Sequence, residues 1–184
     1  MNKLSLALAL TATMAVANIA YAENTVMVGG QSMYPSKNIV ENAVNSADHT
    51  TLVAAVKAAG LVDTLESKGP FTVFAPTNEA FAKLPAGTVD TLLKPENKAT
   101  LVQILTYHVV PGKYDFAALS KLITKGHGKA MLKTASGGTL TFSMNGLHNI
   151  VVWDEKGGSA NIATYDVYQS NGLIDVIDTV LMPK

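Results

Sequence analysis

Residues Gly69 to Pro85 read GPFTVFAPTNEAFAKLP. A Gly-Pro break leads into an apolar, β-prone run from Phe71 to Ala75, which predicts a strand. Pro76 has no amide donor and suits a strand end. Thr77 or Asn78 can accept a hydrogen bond from the first turn of a helix, and Glu79 complements the positive end of that helix. Phe81 and Leu84 lie three apart on one helix face and point to a core shared with Phe71 and Phe74. The stretch therefore joins a sheet to a layer of helices, the two layers from which a domain is built.

Upstream, Ser36 or Asn38 caps a helix bearing Ile39, Val40, Ala43 and Val44. Asp48 is the expected N-cap of the next helix, with Leu52, Val53, Val56 and Ala59 as its apolar stripe and Gly60 as its stop. Leu61, Val62 and Leu65 continue in a short helical turn. Downstream, Thr88 caps a short helix carrying Val89, Leu92 and Leu93. Pro95 suits the first position of another, which turns Leu101, Val102, Ile104 and Leu105 inward. Tyr107 to Val110 reads as extended. Asp115 caps a helix with Phe116, Leu119, Leu122 and Ile123 on one face, ending at Gly126. From Lys129 onward short β-rich runs alternate with turn signals such as Asn145-Gly146 and Asn171-Gly172, down to a last strand from Leu173 to Met182. Helices first and an antiparallel sheet after them predict an α+β domain.

The amino end carries a different signal. Lys3 precedes an uncharged apolar run from Leu4 to Ala17, and Ala20-Tyr21-Ala22 is a small-x-small cleavage site. Residues 1–22 thus read as a secretory signal peptide cut after Ala22. The apolar run is shorter than the ~20 residues a span requires, so no membrane span is expected after cleavage. Residues 23–35 form a lead, expected as a surface strap anchored by Val26, Met27, Val28 and Met33, and residues 36–184 form one domain. The expected location is extracellular or periplasmic.

Composition narrows the function. The 184 residues include no cysteine, so the core alone must hold an exported domain, and thiolate metal sites and cysteine nucleophiles are excluded. All 14 basic residues are lysine and balance 14 acidic ones. A nucleic-acid footprint needs a clustered basic face, and bidentate carboxylate or phosphate recognition needs arginine. The lysines at 121, 125, 129 and 133 read as a solvated, weakly basic face.

The histidines at 49, 108, 127 and 148 show no metal-ligand spacing with each other or with a carboxylate. His108 reads as a buried ring bonded to the backbone, with partner contact as the alternative. Tyr107 reads as a core ring with its hydroxyl satisfied locally. Asp175 and Asp178, three apart in a strand, point to opposite faces and do not form a catalytic pair. Asp178 is expected to bond backbone amides at a bend. Asp175 is either an exposed edge charge or a buried group needing a donor such as a lysine or Tyr107. Trp153 reads as core, or, if exposed, as a ligand or sugar contact. No serine elbow or phosphate loop occurs. The expectation is no enzyme, no cofactor, no metal and no catalytic residue.

Three segments resemble the fasciclin domain family: TVFAPTNEAF within the opening stretch, Ile104-Leu105-Thr106-Tyr107-His108-Val109-Val110, and the closing run from Asn171 to Pro183. Their order and spacing are similar to a whole domain from about Ser36 to Lys184, as in small secreted bacterial members. The family often has a histidine where this chain has Asp175, so no role of that histidine carries over. The resemblance implies a wedge of two antiparallel β-sheets with helices packed beside it. It implies a secreted, non-enzymatic module for cell adhesion or contact with a cell-surface or matrix component, protein or glycan, with self-association as a route to bridging. In some animal members the Tyr-His region is implicated in partner binding, and Tyr107 and His108 are the matching positions. A carrier of a small apolar ligand, held between helices and sheet, is the alternative function.

Overall fold

A computed structural model describes residues 24–184; the expected signal peptide lies outside the described residues. The lead forms a hairpin of β1 (Val26–Val28) and β2 (Gln31–Met33). Val28 and Met33 anchor it in the core, whereas Met27, expected as a further anchor, is 60% exposed because successive strand residues face opposite ways.

The helices follow as α1 (Ile39–Ala43), α2 (Thr50–Ala59) and α3 (Val62–Glu66). Asn38 caps α1 in a reciprocal box with Glu41. Asp48 does not cap α2: a 3-10 turn over Ala47–His49 precedes the helix and takes up that residue. Gly60 ends α2 in the left-handed conformation, as expected. The opening stretch becomes β3 (Phe71–Pro76) and α4 (Asn78–Ala82), with the Thr77 side chain accepting from Ala80 N–H. Next come α5 (Thr88–Leu92), a 3-10 turn at Pro95–Asn97, α6 (Lys98–Tyr107), β4 (Val109–Pro111) and α7 (Phe116–Lys125), the last capped by Asp115.

Five strands close the chain: β5 (Lys129–Lys133), β6 (Thr139–Asn145), β7 (Asn149–Trp153), β8 (Ser159–Gln169) and β9 (Gly172–Ile177). The strand order is β4-β3-β9-β8-β7-β6-β5, antiparallel except for the parallel pair β3–β9. The amino end of β8 pairs with β7 and the rest of it with β9, with register shifts between Ile162 and Val167. That irregular strand is common to two sheet halves, which form the expected wedge of an α+β domain.

Two apolar clusters result. One lies between the helices and one face of β3 and β9, joining Leu52, Val56, Ile104 and Phe81 to Val73 and Ile174. The other fills the wedge, with Phe74, Phe142, Ile150, Leu119 and Ile177. Strand alternation explains the split: Val73 and Ala75 face the first cluster and Phe74 the second. Phe74 therefore does not share a core with Phe81; its ring packs on Phe142, centroids 5.3 Å apart.

Candidate functional site

Tyr107 ends α6 and His108 follows as its C-cap; the Tyr107 ring lies among the wedge residues, and His108 borders the cleft on the helix side. Tyr107 is fully buried and His108 is 3% exposed. The Tyr107 hydroxyl donates to the Thr139 carbonyl at 2.9 Å and accepts from Glu155 N–H at 3.0 Å. Burial pushes its pKa up to about 12. A side chain at Gly138 would collide with this ring, its Cβ 2.6 Å from Tyr107 Cε2, so glycine is required where the strand passes over the tyrosine.

His108 Nδ1–H donates to the Ile104 carbonyl at 2.8 Å, and Nε2 accepts from Leu181 N–H at 3.0 Å. The two bonds assign the neutral ring with its proton on Nδ1. Burial lowers its pKa to about 4, against a smaller opposing pull from the Ile104 carbonyl. With both rings enclosed and their polar atoms used, neither offers an atom to a partner. Their influence on a partner can only pass through what they hold.

What they hold is one corner. Tyr107 bonds the start of β6 and Glu155, which follows Trp153 by two residues. His108 fixes Leu181, and the next amide, Met182 N–H, donates to Asp154 Oδ2 at 3.0 Å. Asp154 Oδ1 also accepts from Lys156 and Gly158 N–H, closing the β7–β8 turn. On the outside of this corner Trp153 is 41% exposed, which corrects the expectation of a core residue. The reason is parity: Val152 faces the wedge, so Trp153 faces out. Its Nε1–H donates to Ser143 Oγ at 2.9 Å, which fixes the indole on the outer sheet face. In register across the strands, Met131, 69% exposed, pairs with Thr141 and Thr141 with Trp153.

Asp175 is completely buried on β9. Its donor is neither a lysine nor Tyr107. Oδ1 accepts from Asp166 N–H at 2.9 Å, and Oδ2 has no partner. Burial, then the nearby carboxylates of Asp166 and Asp115, raise its pKa to about 7, against the pull of the Asp166 amide. Asp166 sits in the irregular part of β8 with φ of 58°, and its Oδ1 accepts from Phe116 N–H at the start of α7. No sequence signal marked Asp166, because a left-handed aspartate in a strand is visible only once pairing is known. Asp178 binds Asn161 through both carboxylate oxygens just past β9, as expected of a bend residue. Burial alone would raise its pKa, but the bonds from Asn161 and Thr179 hold it below the usual value.

His127, His148 and the lysines at 121, 125, 129 and 133 are exposed. Among the described residues no group of three or more His, Asp and Glu is placed to hold a metal ion, and no helix is long and apolar enough to cross a membrane. The described chain also contains an apolar cleft between α1–α3 and the helix-facing side of β3 and β9, lined by residues such as Val40, Val53, Val56, Leu61 and Ile174.

The fasciclin domain sequence profile matches residues 47–183. The chain belongs to the fasciclin domain family. It is 44% identical over 171 residues to Protein sll1483 of Synechocystis, covering 93% of this chain and 87% of that protein. It is 37% identical over 161 residues to Immunogenic protein MPB70 of Mycobacterium bovis, covering 85% and 72% respectively. Against the transforming growth factor-beta-induced protein ig-h3 of Sus scrofa it is 38% identical over 133 residues, which is 72% of this chain but 17% of that larger protein. Its fold matches the domain pair of the insect cell adhesion molecule fasciclin I, with a TM-score of 0.70 at 20% identity, over 81% of this chain and 52% of that one.

Proposed function

We propose that this protein is an exported, non-enzymatic binding module that contributes to adhesion at a cell surface or matrix. The observation that carries this is the corner built by Tyr107 and His108, which holds a half-exposed tryptophan on an open sheet face. An exposed indole with a fixed orientation is the kind of anchor that dominates interfaces. Met131, in the same register two strands away on that face, adds a soft apolar contact. Tyr107 and His108 then serve the partner surface from beneath rather than by touch. Family membership supports the same function, since one relative by fold is named a cell adhesion molecule and one by sequence a cell surface glycolipoprotein. Export would follow cleavage after Ala22. Self-association or an anchored partner would let such a domain bridge two bodies. The test is attachment of a deletion strain complemented with the wild-type chain or with Trp153→Ala. Complementation by the wild type and failure of the variant is expected; adhesion unchanged by the deletion on every surface would remove the function.

The apolar cleft favours a second function, a carrier of a small apolar ligand. Native mass spectrometry of protein purified from its own host tests it: a recurrent bound small molecule supports a carrier, and bare protein in every preparation opposes one.

A further inference from the structure

Strand parity leaves the outer face of β5–β7 and the start of β8 without a carboxylate. Ala130, Leu140, Phe142, Ile150, Val152 and Ala160 turn into the wedge, so their neighbours turn out. Two rows cross that face in register: Met131, Thr141, Trp153 and Ser159, then Lys129, Ser143, Val151 and Asn161. Lys133 stands outward opposite Thr139, and Asn145 opposite Asn149. The carboxylates at the border, Asp154, Glu155 and Asp178, each accept from a backbone amide, those of Gly158, Thr139 and Asn161.

The indole leans across this face. Its Nε1–H donates to Ser143 Oγ, two residues along β6 from the residue opposite Trp153, so the ring runs obliquely toward the row of Lys129. Lys129 is one strand beyond Ser143, about 5 Å, and Lys133 is about 13 Å further along β5. Lys133 Nζ donates to Thr139 Oγ1 at 2.9 Å, which lays it over the same face with donors left over. With its nitrogen used, Trp153 offers carbon surface only, edged by hydroxyl, amide and ammonium groups.

That combination selects the partner. A pyranose ring presents a C–H face that packs on an aromatic ring, and its hydroxyls bond short polar side chains around it. The core of a protein interface needs a wider apolar surround than Met131 and Trp153 give with Thr141 between them. A flat face suits an extended chain, and two lysines without an opposing carboxylate suit an acidic one.

We infer that the outer face of β5–β8 binds an acidic polysaccharide, a sugar ring packed on Trp153 and its carboxylates at Lys129 and Lys133. This rests on the adhesion function proposed above and adds the class of partner.

Titration of the purified protein at low salt with polygalacturonate, neutral dextran and polyglutamate tests it. Trp153 is the sole tryptophan, so its emission reports occupancy directly. Polygalacturonate should shift that emission, and neither control should do so at equal concentration. Lys129→Gln with Lys133→Gln should weaken binding about tenfold. Lys121→Gln with Lys125→Gln, on the exposed side of α7, should leave it unchanged. Trp153→Ala, followed by retention on immobilised polygalacturonate, should weaken it at least about tenfold. All these side chains are exposed or half-exposed, and circular dichroism checks that each variant folds. Absence of polygalacturonate binding, equal binding of either control, or an equal loss from the α7 pair overturns the acidic polysaccharide. If the Trp153→Ala strain loses attachment while the protein ignores polygalacturonate, the adhesion function stands and the partner class falls. If polygalacturonate binds as expected while deletion leaves attachment unchanged, the binding face stands and the adhesion function falls.

Discussion

His108 and Asp175 are both buried, and they pull stability in opposite directions as pH changes. His108 titrates at about 4 in the fold, below its ordinary 6.5. Between those values the unfolded chain binds a proton that the folded chain refuses, so stability falls as pH falls, by about 3 kcal/mol in all. His49, also lowered by burial, adds to the same slope. Asp175 titrates at about 7, above its ordinary 3.8. Over that window the folded chain keeps a proton the unfolded chain has lost, so stability falls as pH rises. The two slopes oppose each other between about pH 4 and 6.5, and the wild type should show a shallow profile there. Asp175→Asn keeps an acceptor for the Asp166 amide and cannot ionise. Urea unfolding should find it more stable than wild type at pH 8 and should expose the histidine slope of about 3 kcal/mol below pH 6.5. A profile that stays shallow in the variant would show that His108 is not held neutral.

At the scale of elements, two side chains act as rivets between segments far apart in sequence. Asn171, in the turn before β9, accepts from Ile39 N–H at the start of α1 and donates to the carbonyls of Leu65 and Ser67 at the end of α3. Asn171→Ala leaves one amide and two carbonyls without these partners and should cost about 2–3 kcal/mol in denaturant unfolding. Asn171→Asp should retain part of that by keeping the acceptor for Ile39. Tyr107 is the second rivet. Tyr107→Phe keeps the ring packing and removes the bonds to Thr139 and Glu155, at a cost of about 1–3 kcal/mol. Because the lost bonds frame Trp153, the emission of this sole tryptophan should shift in Tyr107→Phe more than in an equally destabilised variant of the helix cluster such as Val56→Ala. Equal spectra in the two variants would detach Tyr107 from that surface.

For the whole molecule, β3 and β9 matter most, because each has one face in the helix cluster and the other in the wedge. Neither cluster is complete without them, so the two should melt as one. Trp153 reports the sheet half of β5–β7, while far-ultraviolet circular dichroism is dominated by helices of the first cluster. Their denaturation curves should coincide, and Phe142→Ala in the wedge should shift both equally, by about 3–5 kcal/mol. A tryptophan transition displaced from the helix transition would divide the domain into two cooperative units.

The α+β order, the cap at Asp115, two further caps narrowed to Ser36 or Asn38 and to Thr77 or Asn78, and the family were legible in the sequence, because each rests on contacts within a few residues or on motifs in order. The 3-10 turn that displaced Asp48 from its cap was not, since packing rather than local propensity set that helix start. Nor was the side that Phe74 and Trp153 face. Strand parity fixes which neighbours alternate, but which face becomes core depends on the partner strands, and only the tertiary structure supplies those. The same holds for the enclosure of Tyr107 and His108, for the amide that meets Asp175 and for the cleft beside His49. Each is a meeting of segments distant along the chain, and local pattern carries no record of such meetings.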